Sequence, residues 1–219
     1  MRVVVFTPPV AASDRALYDV AFKFWLRMWQ DTHVEINKPA TIPSDSFTKQ
    51  SEIITLFEGP RPIAQICLRF ADFQAEATYH DSFFMHPGLW QPEDIALVRS
   101  IGGCGMFGTQ IAVDPEYRGT DVKGLIVLLA LERAQKLGAE TIVSFIRANK
   151  GLDRLFQGAG CVVIAKERAY GSVFADLVAF QPQHDPIRIH KDYAEKVRSL
   201  WEGAYFTKPM SFAAERKAA

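Results

Sequence analysis

Met106 to Ile164 reads MFGTQIAVDPEYRGTDVKGLIVLLALERAQKLGAETIVSFIRANKGLDRLFQGAGCVVI, a succession of strand, loop, buried helix, strand, helix and strand with almost no spacer. The first strand, Met106 to Val113, runs into Asp114-Pro115. Proline cannot donate to a sheet ladder, so the strand ends or splays there. The chain turns through Glu116-Tyr117-Arg118-Gly119-Thr120, and from Asp121 onward Val122, Leu125, Ile126, Leu129 and Ala130 recur at helical spacing, with Leu128 and Leu131 broadening the face. A polar run, Glu132 to Lys136, precedes Gly138, which supplies a C-cap. An Arg-Gly loop opening into a helix N-terminus turns backbone N–H groups outward with the positive end of the macrodipole behind them, which suits a phosphate or pyrophosphate. An ordinary strand-to-helix turn uses the same residues.

The continuation favours the first reading. Thr141 to Ile146 is a short β-branched strand, and Ala148-Asn149 leads into a helix that ends at Leu155-Phe156-Gln157-Gly158-Ala159-Gly160-Cys161. In this order, Ile111-Ala112-Val113-Asp114-Pro115-Glu116-Tyr117-Arg118-Gly119 and the later Asn149 … Phe156 … Gly160-Cys161 resemble the GNAT superfamily of N-acyltransferases. The resemblance is close over residues 106–164 and extends in outline over much of the rest. It implies an α/β (α+β) fold: a mixed, mostly antiparallel central sheet with a splayed central strand pair and helices on both faces. It also implies an acyl-coenzyme A co-substrate, with acetyl-CoA the default, and the amine of a small molecule as acceptor.

Two departures bear on the donor. Where the family has small residues after the arginine, this chain has Asp121 and Lys123. A carboxylate opposes a polyanion there unless it turns inward as the helix N-cap, and Lys123 offsets it in sign. Phe156 stands where many members carry a tyrosine that protonates the departing thiolate, and phenylalanine cannot donate. A thioester on acyl carrier protein, or a long acyl chain, thereby becomes an alternative to acetyl-CoA.

The 219 residues, 48% hydrophobic, suffice for a single domain spanning 1–219 with elaborations. Twenty-five basic and twenty-five acidic residues cancel, which argues against nucleic acid as a partner. Cys67, Cys104 and Cys161 are an odd, unpatterned set of free thiols, consistent with a reducing compartment. The apolar start, Met1 to Phe6, is too short for a signal peptide or membrane span, so a cytoplasmic location is expected.

Arg2 to Phe6 reads as a strand closed by Pro8-Pro9. Ser13 is placed to cap a helix in which Leu17, Val20, Ala21, Phe24 and Met28 form the buried stripe, flanked by Trp25 and Trp29 as core aromatics or ligand contacts. Residues 37–47 form a Pro- and Ser-rich loop, and Glu52–Phe57 with Ile63–Phe70 form a hairpin through Gly59-Pro60. An insert at about 72–104 follows, containing a short helix opened by Pro92-Glu93-Asp94; long excursions in small domains tend to be lids or binding segments, so it is the expected acyl or acceptor pocket. Its aromatic content and the altered phosphate loop are similar to the branch holding acyl-homoserine-lactone and N-acyl amino acid synthases. His80, Asp81 and His86 lack the spacing of a metal motif, and no metal is expected. An extra helix at about 190–205 packs on the sheet or makes a subunit contact, the latter implying a homodimer.

The resemblance assigns roles by position. Backbone N–H groups of Ile111, Ala112 and Val113 meet the thioester carbonyl and pantetheine arm; Asn149 contacts that arm or the acceptor, or caps the helix after it. Arg118, Gly119, Thr120, Asp121, Val122 and Lys123 meet the pyrophosphate, with Phe156 beside the cofactor. For the proton, Glu93, Tyr170, His80, His86 or a water relay remain open. Cys104, between glycines and without a local base, reads as part of a turn. A catalytically silent module that kept the fold is the alternative to an enzyme.

Overall fold

The computed structural model describes residues 1–210 apart from 82, 85–87, 148–149, 185 and 189. Along the chain come β1 (Arg2–Phe6), α1 (Arg15–Glu35), α2 (Asp45–Thr48), β2 (Glu52–Glu58), β3 (Arg61–Asp72), α3 (Pro92–Ile101), β4 (Cys104–Val113), α4 (Val122–Lys136), β5 (Thr141–Arg147), α5 (Leu152–Ala159), β6 (Val162–Tyr170), β7 (Val173–Phe180), α6 (Lys191–Glu202) and β8 (Tyr205–Phe206). The strands form one sheet of order β6-β7-β5-β4-β3-β2-β1-β8, antiparallel except for the β4/β5 and β1/β8 pairs. This is the mixed, mostly antiparallel sheet that the sequence resemblance implies.

Period-2 alternation sets the layers. Val3 and Val5 of β1 face one core, Val4 and Phe6 another, so both faces of the sheet are covered. On one face lies α4, buried almost all round from Val122 to Leu131 because the sheet is on one side and α5 and α6 are on the other. On the opposite face lie α1, presenting Phe24, Trp25 and Met28, and the described part of the 73–101 excursion, whose Phe73, Tyr79, Phe84 and Trp90 gather on Phe107. Phe84 and Phe107 meet edge to face at 5.0 Å between centroids. Asp94, 1% exposed, takes the Arg168 guanidinium of β6 bidentately at 2.7 and 2.6 Å and so fixes α3 to the sheet. Among the described residues no helix is long and apolar enough to cross a membrane.

Several local expectations are corrected. Ser13 does not cap α1, which begins at Arg15 after a 3-10 turn; Asp14, at the cap position, instead accepts bonds from Tyr205 Oη at 2.7 Å and the Lys208 N–H at 3.1 Å. Val20 is exposed, and the buried stripe of α1 runs through Ala21, Phe24, Trp25 and Met28. Asp121 precedes α4 but makes no capping bond, and Gly151, with φ of 63°, holds the cap position of α5. The expectation that Asn149 caps that helix falls on a residue outside those described. The terminal helix runs Lys191–Glu202, against α4 and β1, and the chain then adds β8 to the sheet edge through Val4 and Val5.

Gly105 illustrates how tightly β4 is covered: a Cβ there would lie 2.1 Å from the Phe73 ring. Gly105→Ala is expected to cost about 1–3 kcal/mol through overpacking, seen as a lower urea midpoint at unchanged slope. At the end of α1, Glu35 bonds Arg147 Nη2 at 2.9 Å and Lys150 Nζ at 2.6 Å, and these bonds hold its carboxyl down at about 2 against an ordinary 4.5. A depressed carboxyl stabilises the fold above its unfolded value and loses that contribution as pH falls through the folded value. Glu35→Gln is therefore expected to be less stable than wild type near neutrality, with the gap closing between pH 4.5 and about 2 in urea titrations.

Candidate active site

The site begins where two strands part. The parallel strands β4 and β5 pair only over Gly105–Phe107 with Thr141–Val143. Ser144 Oγ, donating to the Gly108 carbonyl at 2.6 Å, spans the start of the fork. Beyond it, residues 144–147 stay with β7 and residues 108–113 stay with β3, so the facing edges of β4 and β5 diverge. An unpaired strand edge presents N–H and C=O groups to whatever enters the gap.

β4 also bulges at this point. Gln65 opposes Ala112 and Cys67 opposes Thr109, which leaves Gln110 and Ile111 against Ile66 alone, and Gln110 takes φ of 54°. The extra residue resets the alternation. Met106 faces the α4 side, and regular pleating would send Ala112 there too; instead Ala112 packs on Phe24 and Met28 of α1, while Ile111 and Val113 pack on the α4 side. A left-handed backbone at a residue with a Cβ costs about 1–2 kcal/mol. Two indoles from α1 oppose that cost: Trp25 Nε1 donates to Gln110 Oε1 at 2.9 Å, and Trp29 Nε1 reaches the Gln110 carbonyl at 3.4 Å.

A cavity of about 830 Å³ passes through the fork. At the α4 end its wall holds Arg118, Gly119, Lys123 and Lys150; at the α1 end it holds Met28, Trp29, Ile42, Phe83, Leu89 and Tyr170. The loop at the α4 end is held from behind. Asp114, buried, accepts the Glu116 N–H at 3.1 Å and pairs with Arg27 at 3.2 Å and Arg61 at 3.0 Å. Burial works against its charge, but the Glu116 N–H and Arg61 outweigh it and hold the carboxyl below the ordinary range. Gly119 has φ of 86° with open space around it, so its backbone conformation rather than crowding calls for glycine. Thr120 Oγ1 accepts the Val122 N–H at 3.3 Å and donates to the Tyr117 carbonyl at 2.7 Å, so the first turn of α4 is bonded without Asp121 turning inward as its cap. Asp121 turns outward to Lys196 of α6 and is neutralised there. Arg118 Nε contacts the Val113 carbonyl at 3.4 Å and Lys123 Nζ the Lys150 carbonyl at 3.3 Å; among the described residues neither cation has a carboxylate partner. The mouth of the cavity is left positive beside a helix N-terminus.

The structure brings Ile111, Ala112, Val113, Arg118, Gly119, Lys123 and Tyr170 onto this one cavity. Thr120, Asp121 and Val122 form the first turn behind the loop, with Val122 buried in the core. Phe156 is 4% exposed and packs in the α4-side core, away from the cavity wall. Glu93, its side chain 69% exposed, stands beside Arg168 at 3.6 Å, also off the cavity. His80 lies 3.7 Å from Glu76, and Asp81 pairs with Arg69, a residue of the cavity wall. Asn149 and His86 lie outside the described residues. Burial pushes the Tyr170 hydroxyl up to about 12, and the Lys38 ammonium, itself brought down to about 8 by burial, sits 3.7 Å from its ring centroid. Burial likewise raises the Cys67 thiol to about 12. Sequence reading missed Gln110, whose bulge no residue type announces, and His33, which follows Trp25 and Trp29 at four-residue steps on α1 and also lines the cavity.

No family model and no curated protein matches this chain. Solved structures do. A CoA-dependent acyl-homoserine lactone synthase, BjaI, with SAM and isopentyl-CoA, superposes with a TM-score of 0.56 at 16% identity, over 99% of this chain and 98% of its own. FeeM, an N-acyl amino acid synthase from uncultured soil microbes, gives 0.53 at 16% over 80% and 94%. An agmatine N-acetyltransferase gives 0.56 at 12% over 83% and 100%. With its forked β4/β5 pair, bulged β4 and mixed eight-stranded sheet, the chain has the fold of the GNAT N-acyltransferases.

Proposed function

We propose that this chain is an N-acyltransferase that moves an acyl group from acyl-coenzyme A to the amine of a small molecule bound in the forked cavity. The observation that carries the reading is continuity: one cavity joins the Arg118/Lys123 mouth, without a carboxylate partner among the described residues, to the free edge of β4 and then to a chamber of mixed wall whose apolar part is Met28, Ile42, Phe83 and Leu89. A nucleotide thioester needs these three environments in this order. The Arg118-Gly119 loop, Lys123 and the N-terminus of α4, with Thr120, Asp121 and Val122 shaping its first turn, hold the pyrophosphate. Ala112 and Val113 offer backbone groups to the pantetheine amides and to the developing oxyanion, donors whose value comes from being fixed beforehand. The amine attacks the carbonyl carbon, the C–N bond forms, the C–S bond breaks and coenzyme A departs as the thiolate. Phe156 has no part in that departure, since it lies in the core.

A chain longer than acetyl is the second reading. It is favoured because the acyl-homoserine lactone synthase matches through 99% of this chain, against 83% for the agmatine acetyltransferase. Phe83 and Leu89, from the excursion at 72–104, supply apolar wall to the chamber. A carrier-protein thioester presents its single phosphate to the same positive mouth.

Two outcomes follow. Arg118→Ala with Lys123→Ala should raise the Kd for octanoyl-CoA by at least about tenfold, since each charged hydrogen bond is worth about 1.5–3 kcal/mol, while S-octanoyl-pantetheine binds as before. Unchanged octanoyl-CoA affinity in calorimetry contradicts the phosphate assignment. Gln110→Ala, which frees the bulge from Trp25, should lower kcat about 10–100-fold through misplaced donors while leaving acyl-CoA affinity nearly unchanged; steady-state kinetics beside calorimetry checks this.

A further inference from the structure

A stripe on α1 runs Trp25, Trp29, His33 at four-residue steps, one face of the helix. Trp25 bonds the Gln110 side chain and Trp29 approaches the Gln110 carbonyl. His33 therefore stands one turn further along, about 6 Å by the rise of a helix, past the residue that meets the bulge. Its ring lines the cavity and lies edge-on to Trp29, 6.3 Å between centroids at 90°.

The tautomer of that ring is fixed. His33 Nδ1 is 2.7 Å from the Pro39 carbonyl oxygen, which can only accept, so Nδ1 carries the hydrogen. In the neutral imidazole the lone pair is then on Nε2. The turn that brings Pro39 into place is itself bonded to the helix end: the Lys38 N–H donates to the His33 carbonyl at 2.8 Å and the Ile36 N–H to the Thr32 carbonyl at 3.1 Å.

Both carboxylates on the described cavity wall are engaged. Glu35 is held by Arg147 and Lys150, which keep it ionised and weakly basic. Asp45 is paired with Lys49 at 2.6 Å on the exposed rim. Tyr170, with Lys38 over its ring, keeps its proton because it is buried. Arg69 and Arg147 are cations, and Thr32 and Ser144 donate their hydroxyl hydrogens to backbone carbonyls at 2.9 and 2.6 Å.

We propose that His33 Nε2 is the general base of the acyl transfer, a catalytic residue oriented by the Pro39 carbonyl. The inference rests on the acyltransferase reading above. The acceptor arrives as an ammonium. Nε2 takes one proton and the freed lone pair attacks the thioester carbonyl; the imidazolium returns that proton to solvent, and the second proton leaves the new amide nitrogen for the coenzyme A thiolate. Base catalysis of this kind contributes about 10²–10⁴-fold.

The test uses His33→Gln, whose amide can still donate to Pro39 but has no titrating nitrogen. Octanoyl-CoA cleavage is followed by thiol release with two acceptors: a pool of primary amines (the common amino acids, agmatine and spermidine), protonated at neutral pH, and hydroxylamine, already neutral there. The variant is expected to lose about 100-fold or more with the amine pool, to keep its rate with hydroxylamine, and to bind octanoyl-CoA as wild type does. Equal loss with both acceptors, or loss with neither, overturns the assignment. Wild-type protein that cleaves octanoyl-CoA with neither acceptor contradicts the acyltransferase reading itself, an outcome distinct from a fault in the base.

Discussion

The bulge at Gln110, held by two tryptophans of α1, is the constraint on which the site depends. Without the extra residue, Ala112 would point to the α4 side and the free edge of β4 would meet the cavity in the other parity. Without Trp25 and Trp29 the left-handed residue would be an uncompensated strain of about 1–2 kcal/mol. The helix that buries its aromatic stripe on the sheet also fixes the strand's most unusual backbone. Core packing and site geometry are here one set of contacts, and the choice between tryptophan as core residue and as site residue dissolves: Trp25 is buried, and Trp29 lines the cavity.

Charge is arranged with the same economy. The chain is neutral overall, and most cations near the cavity are matched: Arg69 with Asp81, Arg147 and Lys150 with Glu35, Lys196 with Asp121. Asp121 thereby loses its power to repel an anion, which removes the main electrostatic objection to a phosphate at this loop. Among the described residues Arg118 and Lys123 have no carboxylate partner where the N-terminus of α4 adds its own positive end. Overall charge balance thus conceals a local surplus that only the folded chain assembles.

Much of the fold was legible in the sequence. Pro115 ended β4, the apolar run after Asp121 made a buried helix, Gly59-Pro60 made the hairpin turn, and the order of elements from Met106 to Ile164 carried the likeness to GNAT proteins. The conformation of the loop from Arg118 to Lys123 was legible because it is local: an Arg-Gly turn running straight into a helix start. Which titratable residues reach the cavity was not, because that depends on which distant segments meet. Glu93 looks suitable in sequence, yet α3 is fixed to β6 through Asp94 and Arg168, on ground away from the cavity. Phe156 falls where the family pattern has a cofactor contact, yet the side chain completes the α4 core. His33 sits in an unremarkable stretch, Asp31-Thr32-His33-Val34, and only the folded chain brings Pro39 to its Nδ1 and places the residue on the cavity wall.

The central claim, that the forked strands receive an acyl-coenzyme A thioester, is tested most directly by titrating the wild-type protein calorimetrically with acetyl-, octanoyl- and palmitoyl-CoA. The account predicts one site per chain with a Kd of roughly micromolar order, about −8 kcal/mol, and tighter binding of octanoyl- than acetyl-CoA as the chain fills the chamber behind Phe83 and Leu89. Absence of binding by all three at ligand concentrations near about 1 mM, weaker than about −4 kcal/mol, contradicts it.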